Sequence, residues 1–216
     1  PTPTPTPATV TSPTTVVSGT LTRHVTAKKV IPNQIVTIVQ TVALDIGDGK
    51  VNEILVNGKP VVTDVTHPEA LKLPVLVGPK DKVVAQVTDA NGTTHEVAIA
   101  KSNEPIQLAN VNFDLASYGL TAAAKTILDK VIAVVKQHGF TYVDLVGYTD
   151  SQGLTSGYDN NTLSINRARE VKAYLLAHLG KHVTVHIEGK AHANPVGSNK
   201  TAAGQAANRR VEIDVR

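Results

Sequence analysis

The sequence predicts an α+β protein in which a small all-β sandwich precedes a C-terminal α/β sandwich, with helices on one mixed sheet. Short runs of Val, Ile and Thr, separated by turn residues, fill residues 16–102 and indicate strands. From about residue 106, apolar stripes at helical spacing alternate with strand-like runs. All the aromatic residues, five Tyr and two Phe, lie between Phe113 and Tyr174, which supports a boundary near residue 103.

Residues 1–15 are a Pro/Thr repeat. Alternating proline removes backbone donors and fixes φ, so it favours an extended polyproline II segment over packed structure. We predict a semi-rigid spacer, with a disordered chain end as the alternative.

The region 16–102 is predicted to form hairpins with an aliphatic core. Turn signals occur at Asp48-Gly49, Asn57-Gly58 and Asn91-Gly92. The predicted strands are Ile35–Leu44, Val51–Val56, Pro60–Val62, Lys82–Thr88 and Thr93–Ala100. Turn-separated strands of this kind favour a two-sheet sandwich, and an immunoglobulin-like topology is our expectation.

The region 103–216 is predicted to form four strands and two helices. The strands are Ile106–Phe113, Tyr142–Tyr148, Val183–Glu188 and Asn208–Val215, and the helices are Thr121–His138 and Thr162–Leu179. Thr121 is the expected N-cap of the first helix, and Gly139 is expected just beyond its end. In the last strand, Arg209 is predicted to face inward and pair with a carboxylate, whereas Arg210, Glu212 and Asp214 are predicted to form a solvated face.

Composition excludes several classes of protein. There is no Cys, so neither a disulfide framework nor thiolate chemistry is possible. The net charge of +3 is not clustered as in a nucleic-acid binder. No apolar run approaches the roughly 18–20 residues of a spanning helix. The chain has no Met and starts at Pro1, so we expect a mature or trimmed fragment whose targeting segment has been removed.

Three polar blocks follow the predicted strands. The first block is Asn112-Phe113-Asp114. The second block comprises Gly147 to Gly153, Asn160, and Leu163 to Ala168. The third block runs from Gly189 to Val211 and contains Asn194-Pro195 and Asn208-Arg209-Arg210. In order and approximate spacing they resemble the signature blocks of the OmpA/Pal/MotB peptidoglycan-associating domain, over about residues 106–216. The resemblance implies non-catalytic, non-covalent binding of cell-wall peptidoglycan by an envelope protein, in the periplasm or cell wall and without a cofactor.

Asp150 and Arg167 are the central site candidates. A strand-end loop and a helix start that face one another can present a carboxylate and a guanidinium to the same crevice. The resemblance implies that Asp150 takes the ammonium and Arg167 the carboxylate of diaminopimelate in the wall stem peptide. The alternative is a structural salt bridge between the two side chains. We predict that Asp150→Ala or Arg167→Ala abolishes binding to sacculi while the fold survives.

The resemblance also assigns secondary contacts. Asn160 is expected to shape the pocket, and the turn at Asp114, Leu115 and Ala116 is expected to offer backbone groups to the ligand. Thr149, a further site candidate, is expected to cap the loop beside Asp150. Arg209 and Asn208 are expected to be structural. The loop from Asp150 to Asn160 is about two residues longer than usual, and Lys190-Ala191 replaces a glycine-rich turn.

Other functions are weaker alternatives. The sequence lacks a G-x-S-x-G elbow, a zinc-hydrolase helix motif and a phosphate loop, and an Asp114/Asp150 glycosidase pair has no evident second acid of raised pKa. A metal site at His186, Glu188 and His192 is a minor alternative, and His138 and His178 are expected to stabilise helix C-termini. The all-β region could instead bind an unknown partner, with the C-terminal domain as scaffold.

Overall fold

The computed structural model describes residues 18–24, 39–46, 49–63, 65, 71–152 and 159–216. The Pro/Thr repeat, the first part of the Ile35–Leu44 run and Asp48 lie outside these residues. The predictions made for them, including the spacer, therefore stay predictions.

The described residues form strands followed by alternating strands and helices. The strands are β1 (Ser18–His24), β2 (Val39–Asp45), β3 (Lys50–Val56), β4 (Lys59–Val62), β5 (Leu71–Leu73), β6 (Val83–Thr88), β7 (Thr94–Ala98), β8 (Ala100–Lys101), β9 (Ile106–Asn112), β10 (Tyr142–Gly147), β11 (Thr184–Gly189) and β12 (Arg210–Val215). The helices are α1 (Ala122–His138), α2 (Asn160–Leu179) and α3 (Ala202–Asn208). None of these helices combines the length and the apolar character needed to cross a bilayer.

The first eight strands form two four-stranded sheets, in the orders β5-β2-β1-β8 and β4-β3-β6-β7. Both sheets contribute to one core, which includes Val42 and Leu44 from one sheet and Ile54 and Val87 from the other. This core is aliphatic because the region has no aromatic side chain. The all-β prediction is confirmed, and the immunoglobulin-like topology stays a prediction.

Two of the predicted hairpin turns differ in their local geometry. At Asn57-Gly58 both residues have positive φ, 52° and 77°, as a two-residue turn between twisted strands requires. The turn at Asn91-Gly92 is wider. There the carboxylate of Asp89 accepts hydrogen bonds from the backbone N–H groups of Asn91 and Thr93, and of the Asn-Gly pair only Gly92 has positive φ.

The remaining strands form a mixed sheet in the order β11-β10-β12-β9. β10 and β11 are parallel, and β12 is antiparallel to both of its neighbours. The apolar faces of α1 and α2 share one core with this sheet. The predicted α+β class is therefore confirmed, as are Thr121 as N-cap of α1 and Gly139, with φ 72°, at its C-terminal end.

Two helical features differ from the sequence prediction. α2 begins at Asn160, two residues earlier than predicted, because the carboxylate of Asp159 caps it by accepting from the Thr162 N–H. The short helix α3 lies in the stretch that was predicted to be a loop. Because α2 begins at Asn160, Arg167 lies about two turns into that helix rather than one.

Candidate functional site

Strand direction brings the three polar blocks to one edge of the mixed sheet. β9 and β10 are both antiparallel to β12, so they run in the same direction and end at the same edge. β11 runs parallel to β10 and ends there too. The segments that follow these strands, together with the start of β12, therefore meet above the N-terminal half of α2.

Two glycines allow α2 to pack directly against the strand ends. Gly147 and Gly189 are paired across β10 and β11. A Cβ on Gly147 would lie 2.0 Å from the backbone oxygen of Ser164, and one on Gly189 would lie 2.6 Å from Ser164 Oγ. Ser164 Oγ also accepts a hydrogen bond from the Ala191 N–H at 3.2 Å. This close approach fixes the position of Arg167, one turn further along the helix.

Arg167 is fully buried and joins the first two blocks through its guanidinium. Nε donates to Ser117 O at 2.8 Å, Nη1 to Tyr148 O at 2.9 Å and Nη2 to Asp114 O at 3.0 Å. Burial, together with the positive charge of Arg209, lowers the pKa of Arg167 to about 10, although the charge of Asp150 opposes both effects. At neutral pH the side chain still carries its charge.

Asp150 makes its ion pair with Arg209 and not with Arg167. Its Oδ2 lies 2.9 Å from Arg209 Nη1, and its Oδ1 accepts from the Gln152 N–H at 3.2 Å. Arg209 Nε donates to Phe113 O at 3.1 Å, which ties the third block to the first. Asp150, Arg167 and Arg209 form a charged trio with a net charge of +1, so a carboxylate that reaches the two guanidinium groups is attracted.

Asn160 contributes a buried acceptor to the site. Its Nδ2 donates to Gln152 O at 3.3 Å, whereas its Oδ1 is buried and has no hydrogen-bond partner among the described residues. Buried acceptors are seldom left unpaired, so this atom is suited to accept from a ligand. Thr149 is 2% exposed, and its hydroxyl donates to Asp150 O, so its side chain orders the loop from within.

The turn after β9 lies over Arg167. The carbonyl oxygens of Asp114 and Ser117 both accept from that guanidinium. Ala116 has φ 53°, a left-handed conformation that is unfavourable for a residue with a Cβ. Leu115 is 55% exposed at the tip of the turn. Three predicted positions, Asp114, Leu115 and Ala116, thus lie next to Arg167, and Leu115 faces solvent.

Comparison with known proteins identifies this half of the chain. Residues 112–209 match the model of the OmpA family. The C-terminal half of the chain is an OmpA-like domain. The match spans the polar blocks that carry Asp150, Arg167 and Arg209.

Curated relatives share the OmpA-like domain over part of their length. The chain is 40% identical over 121 residues to the probable lipoprotein YiaD of Escherichia coli K12, covering 54% of each chain. It is 40% identical over 107 residues to outer membrane protein A of Bordetella avium, covering 50% of this chain and 54% of that protein. It is also 40% identical over 98 residues to the peptidoglycan-binding protein ArfA of Mycobacterium tuberculosis, covering 44% of this chain and 29% of that protein. The chain thus spans about half or less of the length of these relatives.

One similar solved structure is the cell wall anchor of the type VI secretion system (T6SS) from Pseudomonas aeruginosa. It is 27% identical, with a TM-score of 0.47, over 53% of this chain and 82% of that one.

The third block of the OmpA-like domain is organised around Asn208. Its Oδ1 accepts from the Val196 and Gly197 N–H groups, and its Nδ2 donates to Gly197 O and Asn199 Oδ1. Asn208 is the last residue of α3 and not part of a strand. These contacts fold the segment before β12 and place Arg209 next to Asp150.

The pairing of Asp150 with Arg209 was missed in the sequence, although a carboxylate partner for Arg209 was expected. The available signal was the Asn208-Arg209-Arg210 motif itself, because adjacent arginines at a strand start project to opposite sides.

The prediction of a solvated face at Arg210, Glu212 and Asp214 is wrong. Arg210 is 1% exposed, lies 3.9 Å from the centre of the Tyr148 ring and pairs with Glu212 at 2.7 Å. Burial, together with the charge of Glu212, raises the pKa of Tyr148 to about 12. Alternation along β12 does place these residues opposite the apolar core, but neighbouring side chains cover them.

Asp214 is expected to destabilise the OmpA-like domain at neutral pH. Burial, with the charges of Glu212 and Asp144, raises the pKa of Asp214 to about 6, and its Oδ1 has no hydrogen-bond partner in the part of the chain that the structure describes. Because the folded-state pKa lies above that of an unfolded chain, ionisation costs stability as the pH rises from about 4 through about 6. Asp214→Asn should raise the free energy of unfolding by about 1–3 kcal/mol at pH 8 and by nothing near pH 4.

Urea titrations of the wild type and Asp214→Asn at both pH values measure this effect. The matched control is Glu170→Gln, which removes an exposed carboxylate on α2. The control should leave the stability difference between the two pH values unchanged. An equal gain from Asp214→Asn at pH 4 and pH 8 would contradict the assignment.

The histidine candidates do not converge in the described part of the chain, where no group of three or more His, Cys, Asp or Glu is placed to hold a metal ion. His186 lies 3.5 Å from Asp144, on the neighbouring strand. His178 accompanies the last turn of α2 as expected. His138 ends α1 and contacts Asp81 of the all-β region.

Proposed function

We propose that the OmpA-like domain binds cell-wall peptidoglycan without cleaving it, and that it anchors an envelope protein outside the cytoplasm. The relative named as a peptidoglycan-binding protein supports this, since its 98-residue match falls on 44% of this chain at 40% identity. The single observation that carries the proposal is the charged trio at the sheet edge. In it, the carboxylate of Asp150 pairs with Arg209 and lies near Arg167.

The ligand group that fits this trio is a zwitterionic amino acid. The carboxylate of Asp150 and the unpaired Oδ1 of Asn160 accept from the ammonium of diaminopimelate. Arg167, with Arg209 beside it, supplies the positive charge for the ligand carboxylate. Arg167 is fully buried and Asp150 is only 2% exposed in the free protein, so direct contact requires a local opening of the site. In that opening Arg167 exchanges its bond to Asp114 O or Ser117 O for a bond to the ligand, and Asp150 exchanges its contact with Arg209 or the Gln152 N–H.

The expected affinity for one site is low. Each charge-assisted hydrogen bond contributes on the order of 1.5–3 kcal/mol, and the loss of translational freedom offsets much of this. Two or three such bonds give micromolar to millimolar binding by order of magnitude. A wall is a repeating lattice, so rebinding makes such an anchor effective while it stays reversible.

Asp150→Asn tests the proposal with little change in shape. Wild-type protein should pellet with purified diaminopimelate-type sacculi and release no soluble muropeptides, whereas Asp150→Asn should stay in the supernatant. Asp129→Asn is the matched control. Asp129 is an exposed carboxylate on α1 that accepts a hydrogen bond from the Tyr174 hydroxyl and makes none of the contacts of the site. Equal pelleting of wild type and Asp150→Asn would contradict the site, and muropeptide release would indicate a hydrolase.

The choice of ligand is tested separately. Lysine-type walls lack the side-chain carboxylate that diaminopimelate carries, so the guanidinium charge would stay uncompensated. We expect weaker pelleting with lysine-type sacculi. Equal binding to both wall types would reject diaminopimelate selectivity and leave wall binding in place. On this proposal the all-β region is the part that the anchor holds at the wall, and a partner for that region stays a prediction.

A further inference from the structure

The loop between β5 and β6 contacts the C-terminal end of α1. Asp81 Oδ2 lies 2.6 Å from His138 Nδ1, and the two side chains are only 7% and 13% exposed. The backbone is joined as well, since the Lys80 N–H donates to His138 O at 3.0 Å. One helix-terminal residue is therefore held through both its side chain and its carbonyl group.

The shape of the loop matches the helix end. A Cβ on Gly78 would lie 2.5 Å from the Cβ of His138 and 3.1 Å from Phe140 Cζ, so only glycine fits at this approach. Leu76, just before it, packs against the core of the OmpA-like domain. A residue of the all-β region thus contributes to the core of the other unit.

The loop is fixed from the all-β side before it meets α1. Asp81 Oδ1 accepts from Asn57 Nδ2, and Oδ2 accepts from the Gly78 N–H, each at 2.8 Å. Lys101 Nζ donates to the carbonyl oxygens of Pro79 and Asp81. Burial would raise the pKa of Asp81, but the hydrogen bonds from Gly78, His138 and Asn57 outweigh it and lower that pKa, so the carboxylate is ionised at neutral pH.

We propose that these contacts form a clasp, made by Gly78, Lys80 and Asp81 on one side and His138 on the other, which holds the all-β region and the OmpA-like domain as one rigid body. Only residues 102–105 join β8 to β9, and joined domains otherwise move relative to one another by default. A cavity of about 330 Å³ lies beside the clasp and is lined by residues of both units, including Val61, Val75 and Gln137. The apolar interface is interrupted at this cavity, so we expect the clasp, together with Leu76, to hold the arrangement.

Backbone amide relaxation of the full chain in solution tests the proposal. In the wild type, amides of the two units should report one common rotational correlation time. Asp81→Asn and His138→Ala remove the side-chain contact of the clasp from opposite sides. We expect the backbone bond from Lys80 to His138 O, which both variants keep, to be too weak to hold the two units together alone. Each variant should roughly halve the correlation time of both units, because tumbling time follows the mass that rotates together. His138→Ala leaves every contact of Asp81 within the all-β region in place, so its effect separates the clasp from the folding of that region.

The matched control is Asp89→Asn, which breaks a second Asp–His pair, with His95 at 2.9 Å, inside the β6–β7 hairpin. It should leave the common correlation time unchanged. Different correlation times for the two units in the wild type would overturn the proposal. So would a common time that persists in both Asp81→Asn and His138→Ala. Amide shifts of Gly147 and Gly189, at the ends of β10 and β11 that lie away from α1's C-terminus, report whether the OmpA-like domain stays folded in each variant.

Discussion

Arg167→Ala should lower the free energy of unfolding of the OmpA-like domain by about 3–5 kcal/mol, in addition to removing wall binding. The substitution removes the donor of three carbonyl oxygens, that of Tyr148, which is buried, and those of Asp114 and Ser117, which are partly buried. It also empties the volume of a fully buried side chain. The sequence-based expectation that the fold survives this change intact is therefore revised to a weakened fold.

Denaturant unfolding at pH 7, together with pelleting on sacculi, measures the two effects of Arg167→Ala. Arg169→Ala is the matched control on the same helix, because Arg169 is exposed and bonds only its neighbour Asn166 among the contacts described. The control should change stability by less than about 0.5 kcal/mol. Wild-type stability in Arg167→Ala would show that the three carbonyl bonds contribute little.

Gly147→Ala should destabilise the OmpA-like domain by about 2–3 kcal/mol and weaken wall binding as well. The new Cβ would lie 2.0 Å from the backbone oxygen of Ser164, so α2 must move away from the strand ends. Because Arg167 lies one turn beyond Ser164, the same movement displaces its guanidinium from the three carbonyls.

Thermal unfolding and pelleting of Gly147→Ala should be compared with Gly119→Ala. A Cβ on Gly119 would meet only Ser117 Oγ at 3.6 Å, an ordinary contact, so that variant should be neutral or slightly stabilised. If both variants unfold at the wild-type midpoint temperature, the close packing of α2 against β10 at Gly147 does not contribute to stability, and the prediction is wrong.

Elements with strong local signals were predictable from the sequence. The apolar stripe of α1, its Thr121 cap and its terminal Gly139 act within one helix, so the sequence contains all the relevant information. The hairpin at Asn57-Gly58 likewise depends on two adjacent residues with positive φ. The order of strands and helices in the C-terminal half followed from the same local patterns.

Features that depend on distant residues were not predictable in the same way. The partner of Asp150 is Arg209, 59 positions away in the chain, and strand order in the folded sheet decides that meeting. Arg210 is buried because Tyr148 and Glu212 cover it, although strand alternation alone places it on the face opposite the core. The seven-residue helix α3 is too short to show a helical period in its sequence.

The uneven placement of aromatic residues allows the unfolding of the two halves of the chain to be followed by different spectroscopic signals. Every Tyr and Phe lies at or after Phe113, and there is no Trp, so tyrosine fluorescence and near-ultraviolet circular dichroism arise from the OmpA-like domain alone. Far-ultraviolet signals arise from the strands of both halves. A melt in which the two signals coincide therefore indicates that both halves lose structure together, and one in which they diverge gives the order in which they do so.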